Sequence, residues 1–273
     1  MIRLLKIELR KHLSYRAFWL MILFYAALLA VMIFGIPGLI DYIAEKSGEP
    51  SRFRIFKAIV FNFPDIWQNI TFVASTRFFI KIILGIIVII VVTNEYHFLT
   101  IRSNIISGLD KKDFLIAKLE LMVLLSLFST LVIFFSGLYL GFTNSISKSI
   151  SDVFGKMIFL LGYFIEIFAY LSFCLLLGVI FKKTGITFIV HFVYFIIEPI
   201  LDFKLNDKLT PFLPINAINN VITSPNTSLI KIKSPDFNYD FQEALILGDV
   251  GLCLGYTALF ILITYAILKR RDI

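Results

Sequence analysis

The chain has 273 residues, of which 59% are hydrophobic and 16% charged, and a net charge of +7. A water-soluble domain is about 45–50% apolar and about 25% charged, so a mean hydropathy of +0.88 excludes a soluble fold and points to a bilayer. The basic excess does not indicate nucleic acid, because Lys and Arg sit beside apolar runs, where they set orientation. Cys174 and Cys253 both lie inside apolar runs, which argues against a disulfide framework or a zinc site.

Residues 1–17 place Ile2, Leu5, Leu9 and Leu13 on one helical face, with Arg3, Lys6 and Arg10 beside it. That pattern predicts a helix lying in the headgroup zone, although a plain basic flank before a span would read similarly. The first span is expected over about 18–40, its outer end loosened by Gly35, Pro37 and Gly38. Residues 41–76 read as a polar outer connection. Phe53, Phe56 and Val60 give it the stripe of a surface helix. The second span is expected over about 77–98. It must include Arg77 and Lys81 to reach the roughly 20 residues a crossing needs, with both charges extended to the outer interface.

A charged stretch, Asn94 to Lys118, follows between two apolar runs. Phe98, Ile101 and Ile105 recur at helical spacing. Gly108 stands where a helix ends in a left-handed residue, and Asp110 is the N-cap candidate of the next helix, with Asp113 in its first turn. The expectation is a short amphipathic helix, a hinge, and a new helix entering the membrane.

The third span is expected over about 119–142, with Gly137 and Gly141 at small-xxx-small spacing. A Ser- and Asn-rich loop leads to the fourth span, about 157–181. Lys182 to Gly185 make a tight inner turn, and the fifth span covers about 186–201. Residues 202–242 form a second outer segment, in which Pro214 can start a short helix. The sixth span, about 244–268, carries Gly248, Gly251 and Gly255, spaced for close helix packing. Lys269, Arg270 and Arg271 follow it. With the N-terminus inside, the short inner segments hold 14 of the 26 Lys and Arg, at far higher density than the outer ones. That density places both termini in the cytoplasm. The chain therefore reads as a single all-α polytopic domain, 1–273, with six spans.

Patterns for catalysis are missing. Gly155-Lys156 lacks the upstream glycine of a phosphate loop, the three histidines form no metal motif, and Ser136 has no nucleophile elbow around it. The chain is not expected to be an enzyme or to hold a metal or cofactor. Ionisable residues within spans are the default functional candidates. Glu166 falls midway along the fourth span, and either pairs inside the bundle, with His191 as candidate partner, or lines a pathway. Glu198 and Asp249 fall near outer span ends, expected to pair or to reach water. Asn69 and Asn226 head glycosylation tripeptides, a pattern that also arises by chance.

An amphipathic N-terminal helix, six spans, termini on one side and a charged helix between spans two and three resemble the permeases of type-2 ABC exporters. The closest match is Glu95, Thr100 with Arg102, Gly108, Lys111-Lys112 with Phe114, and Lys118. Pro211 to Ile218 is similar to the segment the family carries between spans five and six. The resemblance implies a multi-pass cytoplasmic-membrane permease that pairs with a second copy or a paralogue among the membrane lipids. It implies two copies of a separate cytosolic ATPase, which bind the ATP and Mg. It also implies that Glu95, Thr100, Arg102, Ile105, Gly108, Lys111 and Lys112 form the coupling segment. The competing reading is a six-span proton-coupled carrier or channel that uses Glu166.

Overall fold

The computed structural model describes residues 2–13, 15–48, 51, 53, 57, 60–77, 80–145, 147–206, 208–223, 233–234, 237–238, 242 and 244–270. Its helices are α1 (Ile2–Leu13), α2 (Arg16–Ser47), α3 (Ile66–Phe72), α4 (Ile80–His97), α5 (Thr100–Ile106), α6 (Lys111–Asn144), α7 (Ile150–Phe154), α8 (Ile158–Phe181), α9 (Thr184–Lys204), α10 (Pro214–Asn219) and α11 (Leu247–Arg270). Val73–Arg77 is a π-helical turn after α3, and Lys233–Ser234 pairs antiparallel with Phe237–Asn238. Six helices are long and apolar enough to cross a membrane, with α7 and α8 counted together as one of them.

The six spans fall where the apolar runs predict, but several are longer. α2 runs unbroken for 32 residues through Pro37 and ends at Gly48, whose φ of 70° closes it. Neighbouring elements re-satisfy the carbonyl a proline frees inside a membrane. At 1.5 Å per residue α2 is about 48 Å long, well beyond a hydrocarbon core of about 30 Å. Its buried residues, Phe18, Tyr25, Leu29, Ile33, Pro37 and Ala44, make one stripe, and the other faces are open to lipid.

α8 is the central post, buried along most of its length and packed against α4, α6, α9 and α11. Tyr163 on α8, Ser129 on α6 and Tyr25 on α2 share a hydroxyl cluster, with Tyr25 Oη–Ser129 Oγ at 2.5 Å and Ser129 Oγ–Tyr163 Oη at 2.7 Å. Other intramembrane hydroxyls, such as Thr257 and Thr264, donate to the carbonyl four residues back, a local way of satisfying a hydroxyl away from water.

The first described helix, α1, and the end of the last, α11, lie at one end of the bundle, where Lys111 Nζ donates to the Lys269 carbonyl at 3.5 Å. The opposite end departs from expectation. Residues 61–76 belong to the stretch expected as a polar outer connection. Instead they enter the bundle, and every residue of α3 is buried. The apolar side chains of this stretch outweigh its polar ones, and the polar ones find partners inside: Trp67 Nε1 donates to the Val153 carbonyl at 2.6 Å, and Lys156 pairs with Asp65 at 2.7 Å. Asn69 is buried and donates to the Val60 carbonyl at 2.7 Å, so a glycan cannot be attached there in this fold. Phe53 is half-buried; Phe56 and the second tripeptide, at Asn226, lie outside the described residues.

This entry explains the glycines of the third span. A Cβ on Gly137 would meet the Trp67 ring at 2.6 Å, and one on Gly141 would meet the Phe63 ring at 2.2 Å. They seat aromatic rings of the entering segment rather than another span. Gly248, Gly251 and Gly255 on α11 have no described residue within 4 Å of such a Cβ. Gly137→Ala and Gly141→Ala should each lower stability by about 1–3 kcal/mol through overpacking. Gly251→Ala and Gly255→Ala should stay within about 0.5 kcal/mol of the parent or gain slightly. Thermal melts in one detergent test this, and the opposite ranking would refute the packing assignment.

Candidate functional site

The charged stretch between the second and third spans folds largely as its residues dictate. α5 starts at Thr100, two residues later than the predicted stripe requires, because Leu99 turns into the left-handed region at φ 54°. Phe98 therefore lies outside α5 and is 66% exposed, whereas Ile101 is buried and Ile105 half-buried. Gly108 has φ 92°, a conformation that favours glycine. The Asp110 N–H donates to Asp113 Oδ2 at 3.1 Å, so the first turn of α6 is tied off as expected.

Beneath α5 lies a cluster of buried charges. Lys118, 1% exposed on the second turn of α6, donates to Glu8 Oε1 at 2.7 Å and to Glu95 Oε1 at 2.9 Å. Lys11 reaches Glu95 Oε1 at 2.5 Å, the Thr100 hydroxyl donates to Glu95 Oε2, and His12 Nε2 lies 2.8 Å from Glu8 Oε2. Five side chains on α1, α4 and α6, with Thr100 on α5, thus share one hydrogen-bonded network. Burial works to raise the Glu8 carboxyl, but the His12 hydrogen bond and the Lys118 charge outweigh it, and the group is held at about 2 instead of 4.5. The N-terminal helix is consequently fastened to the bundle by its polar edge as well as lying along it.

Among the predicted coupling residues, Glu95 and Thr100 belong to this interior network. Gly108 and Lys112 are exposed, and Lys111 reaches back to the end of α11. Arg102 turns the other way, into a cleft it shares with Lys182 and Lys183. Ile106, which the periodicity did not select, is 79% exposed and stands out from α5. Glu8 and Lys11 were also missed. The signal was available: Glu8 is the one acid in an otherwise basic helix, three and four residues before Lys11 and His12. No protein-family model matches the chain, and no curated protein does.

A second charge centre lies towards the other end. Lys81 was expected to reach the outer interface, yet it is 2% exposed. Its ammonium donates to Glu166 Oε1 at 3.0 Å and to Asn219 Oδ1 at 2.5 Å, because α8 and α10 close over it. Glu166 is thereby paired with Lys81 and not with His191, which takes the Tyr170 hydroxyl at 2.7 Å. Glu198 Oε1 accepts the Asn216 backbone N–H at 2.7 Å, in the first turn of α10, where an acid suits the helix dipole. Asp202 accepts from the Asn216 side chain at 2.9 Å. Asp249 is half-buried in the first turn of α11 with no ion-pair partner among the described residues. The side chain of Arg77 is outside the described set.

Breaking a buried pair leaves one charge without compensation and costs about 3–5 kcal/mol, whereas replacing both partners is often neutral. Lys81→Met and Glu166→Leu should each destabilise by that amount, and the double variant should melt closer to the parent than either single one. Additive losses would refute the pairing. For Glu8 the depressed carboxyl dictates the sign. Its contribution is complete above pH 4.5 and disappears as the pH falls towards about 2. The melting difference between the parent and Glu8→Gln should be largest above pH 5 and vanish near pH 2; a constant difference across that window would contradict it.

Proposed function

We propose that this chain is the membrane-spanning subunit of an ATP-driven transporter, a permease of the type-2 ABC exporter kind. In this reading it works as a dimer with a second copy or a paralogue, and two copies of a separate cytosolic ATPase hold the ATP and Mg. The carrying observation is the seating of α5. Seven residues project Ile106, followed by the exposed Lys112, from a base fixed by Glu95 and Lys118 to the adjoining ends of two spans.

Such a base suits transmission. A contact that shifts α5 must either carry the ends of α4 and α6 with it or part Lys118 from its carboxylates, and parting them strands buried charge. The first course is the easier one, so α5 and its two spans move together. Further along α4, Lys81 is joined to α8 through Glu166 and to α10 through Asn219, so a tilt of α4 is felt at the cap over the far end. An ATPase that contacts α5 differently in its open and closed states would supply the bias between two bundle arrangements. The density of Lys and Arg at the termini end then faces the cytoplasm, and the chain resides in the cytoplasmic membrane.

The chain purified from mild detergent should bring an ATP-binding subunit with it. Ile106→Glu combined with Lys112→Glu should release that subunit, while Lys148→Glu, an exposed change elsewhere, should not. Retention of both the subunit and ATP-driven transport in the α5 double variant would overturn the assignment. The carrier reading draws on Glu166, whose Oε2 has no hydrogen-bond partner among the described residues. It requires transport without ATP that is lost in Glu166→Gln; the ATPase reading requires ATP-dependent transport that persists in that variant.

A further inference from the structure

At the termini end, beside α5, the surface opens into a cleft of about 610 Å³ between two chain reversals. One wall is the joint between α4 and α5, with Tyr96, Leu99 and Arg102; the other is the turn from α8 to α9, with Lys182, Lys183 and Thr184. Three permanent cations and His97 line it, and among the described residues no carboxylate does. None of the three forms an ion pair with a described residue; Lys182 Nζ lies instead over the Tyr96 ring, 5.2 Å from its centre. Elsewhere at this end the buried cations are matched by Glu8 and Glu95, so the absence of an acid in the cleft marks it out. Like charges gathered on low-dielectric walls focus a positive potential.

Two further features define what fits. Thr184 opens α9 with no side-chain cap on its first N–H groups, which adds the positive end of a helix dipole to the same wall. The Thr93 and Thr184 hydroxyls, 2.7 Å apart, hold α4 and α9 together, so the cleft exists before any ligand arrives. Leu99, which lines the cleft, is 60% exposed, and Phe98 beside it in the chain is 66% exposed, at the end of a span. Cations and bare apolar side chains therefore stand side by side at the level where a bilayer places its headgroups.

We propose that this cleft binds the phosphate of an anionic phospholipid, with Arg102, Lys182 and Lys183 around the phosphate and Phe98 and Leu99 against the start of the acyl chains. Basic pockets between spans are the setting in which acidic headgroups are held, and Arg adds a fork that matches phosphate oxygens. Inorganic phosphate would answer the cations but leave the two apolar side chains bare.

Native mass spectrometry of the full chain in mild detergent, titrated with phosphatidylglycerol or phosphatidylcholine, reads this directly. The parent should retain phosphatidylglycerol with about tenfold or greater preference, on the scale expected for a few basic side chains near an acidic headgroup. Arg102→Gln, Lys182→Gln and Lys183→Gln combined should abolish that preference. Lys111→Gln with Lys112→Gln should keep it, and so should Lys182→Arg with Lys183→Arg. Thermal melts separate loss of lipid from loss of fold. Inorganic phosphate at millimolar concentration should leave the lipid bound; its displacement of the lipid would make the site one for free phosphate and overturn the proposal. Equal loss in the Lys111 and Lys112 control would reduce the effect to unspecific charge, and also overturn it. A triple variant that keeps its lipid preference but sheds a co-purifying ATP-binding subunit would assign the cleft to a protein instead.

Discussion

A buried ammonium group has three hydrogens to donate and no water to receive them. Lys118 gives two of them to Glu8 and Glu95, and its Nζ lies 5.3 Å from the centre of the Phe114 ring; much of the termini end is arranged by this. The two carboxylates come from α1 and α4 and the lysine from α6, so one charge fixes three helices at a point. Glu95 then takes the Thr100 hydroxyl at the start of α5. Removing any member leaves a neighbour charged and dry, which is costlier than the exposed pairs common on protein surfaces. Lys81 repeats the solution further along α4, with Glu166 on α8 and Asn219 on α10. The helix between the two centres, α4, is therefore pinned near both of its ends.

Between those pins the bundle relies on shape. α8 is buried on nearly all sides, while α2, α9 and α11 present broad apolar faces outward. The small residues of α6 let Trp67 and Phe63 approach where a methyl group would collide, and the segment that carries those rings fills the far end. Tight packing and paired charge act on the same elements. Together they make a body in which a displacement at α5 has few ways to dissipate.

Local rules made part of this legible. The spans follow from apolar length, and the cap at Asp110 and Asp113, the left-handed Gly108 and the helix begun by Pro214 follow from residues within one turn of each other. The errors came from contacts that join distant positions. Lys81 reads as an interfacial charge until Glu166 and Asn219, 85 and 138 residues away, are brought to it. Residues 61–76 read as a polar connector because nothing within that window announces the glycines of α6 that receive it. Glu8 was overlooked because an amphipathic helix is recognised by its apolar face, and this one is fastened by its polar edge. The glycines of α11 show the reverse case: their spacing predicts close packing, and no neighbour occupies that face among the described residues.

If the proposed function holds, α5, α1 and the span ends joined at Lys118 move as one body as the ATPase cycles. Spin labels at the exposed Lys6 on α1 and the exposed Ser107 at the end of α5 measure it most directly. Their separation is read by pulsed dipolar spectroscopy in the complex with the proposed ATPase, without nucleotide and with nucleotide trapped. An unchanged distance between these two labels is predicted, together with a shift of either one relative to a label at Ser151. A change in the separation between Lys6 and Ser107 as the nucleotide sites close would contradict the account.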